Sequence, residues 1–98
     1  MYARVAKWEG AEAERMRRMA ADMKQRAGSG PPEGVPAVGF LLLVDPENGR
    51  SLAVALFETE DDLRTGDAAL NGMSPPADDA SGRRTSVETY EVAVDVRA

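Results

Sequence analysis

Few residue types in this chain could carry out chemistry. Histidine and cysteine are both absent. That removes the commonest metal ligand, the commonest general base near neutral pH, every thiolate site and every disulfide. Carboxylates are plentiful, and the densest group, Glu58, Glu60, Asp61 and Asp62, offers oxygen ligands for a hard cation. It lacks the loop glycine and ligand spacing of a calcium site. Thr59 followed by Asp62 reads instead as the capped start of a helix, whose N-terminal dipole favours these negative charges. Met16, Met19 and Met23 recur at helical spacing; thioethers can line an adaptable ligand site, but the same stripe is what core packing of an amphipathic helix requires. Asp78-Asp79 and Arg83-Arg84 read as solvated surface. No acid-base pair, metal site or flavin site emerges, so no cofactor is expected.

Elements that must position whatever remains can be read from the patterning. The chain has 98 residues, of which 43% are hydrophobic and 30% charged, as in an ordinary globular protein. This predicts a single domain over residues 1–98. A net charge of −5 and a pI near 4.7 would repel a phosphate backbone, and no basic stripe compensates, so nucleic acid is not an expected partner. The longest apolar run, Phe40–Val44, is far below the roughly 20 residues of a membrane-spanning helix, so no membrane partner is expected either. No basic region followed by an apolar core opens the sequence, and a cytoplasmic location is the simplest expectation.

Tyr2 to Trp8 reads as a strand that puts Tyr2, Arg4, Ala6 and Trp8 on one face, and closes at Glu9-Gly10. From Ala11 the period becomes helical, with Met16, Met19, Ala20, Met23 and Ala27 along one side and Gly28 at the stop. Gly28 to Gly34 is a loop. Val35 to Val44 is strongly apolar, and Phe40–Val44 predicts a strand buried on both faces. Asp45-Pro46-Glu47-Asn48-Gly49 supplies a turn into Ser51–Glu58, whose two faces, Leu52, Val54, Leu56 and Ala53, Ala55, Phe57, are again both apolar. A second helix runs from Thr59 to Asn71-Gly72, with Leu63, Gly66, Leu70 and Met73 on one side. Residues 74–84 predict a mobile loop, and Thr85–Val96 a last strand with Tyr90, Val92, Val94 and Val96 two apart.

The resulting β-α-β-β-α-β order predicts an α+β, ferredoxin-like fold: a four-stranded antiparallel sheet with two helices on one face. Its other face is then bare, yet neither middle strand has a polar side to show to water. A second copy is the economical cover, and burial of a few hundred Å² at ~25 cal/mol/Å² would drive a homodimer packed sheet to sheet.

Several stretches resemble the dimeric α/β-barrel superfamily, and within it the antibiotic biosynthesis monooxygenase-like proteins. They are the opening Tyr2-Ala3-Arg4-Val5-Ala6-Lys7-Trp8-Glu9, the Leu56-Phe57-Glu58-Thr59 strand-to-helix junction and the closing Tyr90-Glu91-Val92. The resemblance covers nearly the whole chain. It implies a small-molecule-binding protein: a cofactor-independent monooxygenase acting on an aromatic or polyketide-like substrate, or a non-catalytic homodimeric binding or interaction protein. Similar proteins bind ligands between sheet and helices, which implies Arg4, Trp8, Phe57 and Tyr90 as ligand-binding candidates. In that role Trp8 would stack on a planar hydrophobic or aromatic small molecule, Arg4 would hold an anionic oxygen and Tyr90 would donate a hydrogen bond. The alternative for the same residues is plain packing, with Trp8, Phe57 and Tyr90 in the core and Arg4 paired with a carboxylate. The haem-degrading branch of the family relies on a histidine to ligate iron, which this chain cannot supply.

Overall fold

The computed structural model describes residues 1–26, 28, 30, 34–72 and 82–97. Strand β1 (Tyr2–Glu9) leads to helix α1 (Ala13–Arg26), then to strand β2 (Gly39–Asp45), a 3-10 turn (Pro46–Asn48) and strand β3 (Arg50–Phe57), and finally to helix α2 (Glu60–Asn71) and strand β4 (Arg83–Glu91). The strands form one sheet in the order β2-β3-β1-β4, and every neighbouring pair is antiparallel. This is the ferredoxin-like arrangement, with both helices on one face. Among the described residues no helix is long and apolar enough to cross a membrane.

Local chemistry fixes the joints. Pro46 opens the 3-10 turn and Gly49 closes it in the left-handed region, at φ 63° and ψ 30°. A side chain there would also run into the Ala11 carbonyl, because the Ala11 N–H donates to the Gly49 carbonyl at 3.1 Å and ties the start of α1 to the β2–β3 hairpin. At the other helix, the Thr59 hydroxyl accepts from the Asp62 N–H at 3.1 Å, so the clustered carboxylates sit in the first turn of α2.

α1 packs against β2 and the 3-10 turn, whereas α2 packs against β1 and β3. The core gathers Val35, Ala55, Phe57 and Leu63, with Tyr2, Ala37, Ala69 and Leu70 packed around them. Phe57 is fully buried because Gly66 on α2 has no side chain; a methyl group there would overlap the ring. Burying that ring contributes about 2–3 kcal/mol.

Three expectations change. β2 was expected to be buried on both faces, yet Phe40, Leu41, Leu43 and Val44 are 49%, 53%, 49% and 38% exposed. The reason is position: β2 is an edge strand, and within this chain no element covers either of its sides fully. The last strand ends at Glu91 rather than Val96, because Glu91 already faces Tyr2 at the beginning of β1 and only one further bond, Val92 N–H to the Met1 carbonyl at 2.9 Å, can form. Val94 and Val96 beyond it are exposed. Arg83 and Arg84, read from sequence as loop surface, belong to β4 and lie opposite Glu9 and Trp8. Ala27, Met73 and positions 74–81 of the expected loop lie outside the described residues.

Candidate functional site

Pairing in register puts Cα partners on the same face of the sheet. Tyr2 of β1 pairs with Phe57, Arg4 with Ala55, Ala6 with Ala53 and Trp8 with Ser51. Phe57 lies under α2, so all of these occupy the helix face. Arg4, Trp8 and Phe57 are therefore brought to one side of the sheet.

Tyr90 is not. It pairs with Ala3, on the opposite, open face, and its hydroxyl donates to Glu88 Oε2 at 2.6 Å. Glu88 also faces Lys7 Nζ at 3.5 Å. The Tyr90 hydroxyl, and then the Lys7 ammonium, hold the Glu88 carboxyl below its usual range, while Glu88 in turn pushes the Tyr90 phenol up. Tyr90 therefore lies on the open face, although it also borders a concavity between α2 and the β1–β4 pair.

The three remaining residues have different surroundings. Phe57 is core, closed off by Gly66 and Leu63. Arg4 is buried, and its charge is already matched: Nε donates to Asp67 Oδ1 at 2.7 Å and Nη2 to Asn71 Oδ1 at 3.0 Å. Both partners lie on α2, so this pair bolts the helix to β1. Trp8, like Tyr2 on the same face, is half-buried. Across the sheet it has Ser51 on one side and Arg84 on the other. The Ser51 hydroxyl is buried without a hydrogen-bond partner. Met16 is wholly buried beside this face, whereas Met19 is half-buried and Met23 reaches the surface, so the methionine stripe is core only at its N-terminal end.

Among the described residues two concavities stand out, both open to solvent. One, of about 340 Å³, runs between α2 and the β1–β4 pair and is lined by Tyr2, Leu63, Arg64, Asp67, Thr89 and Tyr90 among others. The other, of about 700 Å³, includes Trp8, Val44 and Ser51 as well as Lys7, Leu43, Leu52 and Ser86. Lys7, Leu52, Leu43 and Ser86 are partners in register on the open face, whereas Trp8, Ser51 and Val44 share the helix face, so this concavity takes in residues of both faces at the Trp8 end of β1.

Asp67, Asn71, Ser51 and Arg84 complete the surroundings of Arg4 and Trp8 and were not singled out from sequence as belonging to the site. Asp67 and Asn71 share a helical side four residues apart, a spacing that could have marked them. Arg84 carried no such mark.

No family model and no curated protein matches this chain. Among solved structures it is similar to the heme-degrader MhuD from Mycobacterium tuberculosis with two hemes bound in its active site. That match has a TM-score of 0.63 at 19% identity, over 99% of this chain and 100% of that one. It is also similar to a point mutant of MhuD with two manganese protoporphyrin IX bound per active site, with a TM-score of 0.59 at 22% identity over 100% of both chains. At these identities the similarity shows the fold, matched from end to end.

Proposed function

We propose that this chain works as a homodimer that binds a planar hydrophobic small molecule on the helix face of its sheet, around Trp8, in the manner of the monooxygenase-like proteins of the dimeric α/β-barrel superfamily. The observation that carries this reading is the end-to-end match to a fold that, in MhuD, holds planar tetrapyrroles. The dimer is supported by the open face, where Leu41, Leu43 and Tyr90 are about half exposed beside the partly covered Val5, Leu52, Val54 and Leu56. A lone soluble chain rarely leaves such a contiguous apolar surface in water. Iron ligation by imidazole is closed to this chain, which has no histidine. The ligand is accordingly read as an organic ring system rather than haem held through an imidazole–iron bond.

Two activities are compatible with such a site. Cofactor-independent monooxygenation needs a substrate that itself gives an electron to dioxygen, with the protein supplying position and polarity. Non-catalytic binding is favoured by one specific observation: Arg4, the buried cation best placed to steady a developing oxyanion, is occupied by Asp67 and Asn71.

A thermal-shift screen against quinols, flavonoids, fatty acids and haem tests the reading, because a ligand that binds only the folded state raises the unfolding temperature. Quinols or flavonoids should raise it, and oxygen uptake with those hits separates the enzyme from the carrier. Stabilisation by fatty acids alone, or by nothing, would contradict a planar-ring site.

A further inference from the structure

β4 carries one irregularity, and it lies beside Trp8. Lys7 pairs with Ser86 but Trp8 pairs with Arg84, so Thr85 is the extra residue of a β-bulge, its hydroxyl turned back to the Lys7 carbonyl at 3.4 Å. With unbroken alternation Arg84 would share the open face with Ser86 and Glu88. The extra residue moves it to the helix face, next to Trp8.

There the charges are unevenly matched. Arg84 Nη1 and Arg4 Nη2 each donate at 3.0 Å to a single acceptor, Asn71 Oδ1, at the last residue of α2. The carboxylate of the cluster, Asp67, is taken by Arg4 Nε. Arg84 forms no ion pair among the described residues. Two guanidinium charges thus share one neutral oxygen and one carboxylate, in a chain whose net charge is −5. Cations near a helix C-terminus suit its dipole, which accounts for arginines near Asn71. It does not account for a bulge that places one of them beside a half-buried indole.

We propose that Trp8 and Arg84 form a subsite for a planar aromatic anion. The ring lies against the indole and its negative group accepts from the Arg84 guanidinium, displacing Asn71 Oδ1, while Arg4 and Asp67 hold Asn71 and α2 in place. A guanidinium takes a carboxylate through two parallel hydrogen bonds, and a neutral amide oxygen is the weaker competitor. Arg84 is exposed, so the interaction weakens as salt rises. The inference rests on the planar-ring reading above and adds the charge of the ligand.

The test compares 2-naphthoate with neutral 2-naphthamide by titration calorimetry at low ionic strength. The naphthoate should bind at least tenfold more tightly than the amide. Arg84→Gln should erase that preference, weakening the naphthoate far more than the amide, Arg84→Lys should restore part of it, and Trp8→Phe should weaken both ligands together. Equal affinities for the two ligands, or a preference that survives Arg84→Gln, would overturn the anion inference and leave the ring site standing. Failure of both to bind would overturn the planar-ring reading as well. An unchanged unfolding temperature in the Arg84 variants shows that the fold is intact.

Discussion

The two faces of the sheet are built from the same four strands, yet they solve opposite problems. On the helix face the chain closes its own surface: Phe57 fits under Gly66, Met16 is wholly buried, and Arg4 is held by Asp67 and Asn71. On the open face it closes very little, and Leu41 and Leu43 remain about half exposed beside a polar row of Lys7, Glu88 and Tyr90. Arg4 and Arg84 on the helix face are matched to partners on another element, whereas Lys7, Glu88 and Tyr90 on the open face are matched to neighbours on the same sheet. A face that is internally satisfied and apolar at its centre is suited to meet a second copy. The helix face, where Trp8 is half-buried and Ser51 and Arg84 flank it, is suited to meet a ligand.

Substitutions should separate these roles. The largest effect is expected from Phe57→Ala, which empties the centre of the helix-face core and should cost about 3–5 kcal/mol of unfolding free energy in a urea titration. A cost below 1 kcal/mol would mean that the helices are not held by this ring. Next comes the open face: Leu41→Asp with Leu43→Asp should weaken self-association by about a hundredfold, close to 2.7 kcal/mol. Sedimentation velocity reads that change, while circular dichroism should show the helices retained. Asp67→Ala leaves the buried Arg4 with only Asn71. Because the Asp67 side chain is 35% exposed, about 2 kcal/mol is expected, below the range for a fully enclosed pair.

The smallest effect is electrostatic and belongs to the open face. The Glu88 carboxyl lies below its ordinary 4.5, first because Tyr90 donates to it and then because of Lys7. A carboxyl depressed on folding adds stability above its unfolded pKa and loses it as pH falls through the lower folded value. Tyr90→Phe should therefore move the Glu88 titration upward toward 4.5 in an NMR pH series and shrink the acid-side loss of stability. An unmoved titration would show that the phenol does not act on Glu88.

How much of this was legible in the sequence depends on the distance over which each feature is decided. Element order, the even-numbered face of β1, the Thr59 cap and the hairpin at Pro46 to Gly49 follow from periods and turn chemistry within a few residues. The face of Tyr90 does not, because a one-residue slip in the β1–β4 register reverses it and nothing local fixes that register. Arg84 was hidden for a related reason: counting back by twos from Tyr90 puts it on the open face, and only the bulge at Thr85 turns it over. Arg4 could be expected to have a carboxylate partner, but Asp67 is supplied by a helix 63 residues away. The apolar character of β2 was clear from Phe40–Val44, and the inference of full burial failed because the strand lies at the edge of the sheet.

The division of labour between the faces is tested most directly by sedimentation equilibrium of the unmodified chain at micromolar concentration. A species of twice the 10.5 kDa chain mass is expected, because the open face should be covered by a second copy. A single species of 10.5 kDa across that range would contradict it, leaving the apolar face in water with no partner of its own kind.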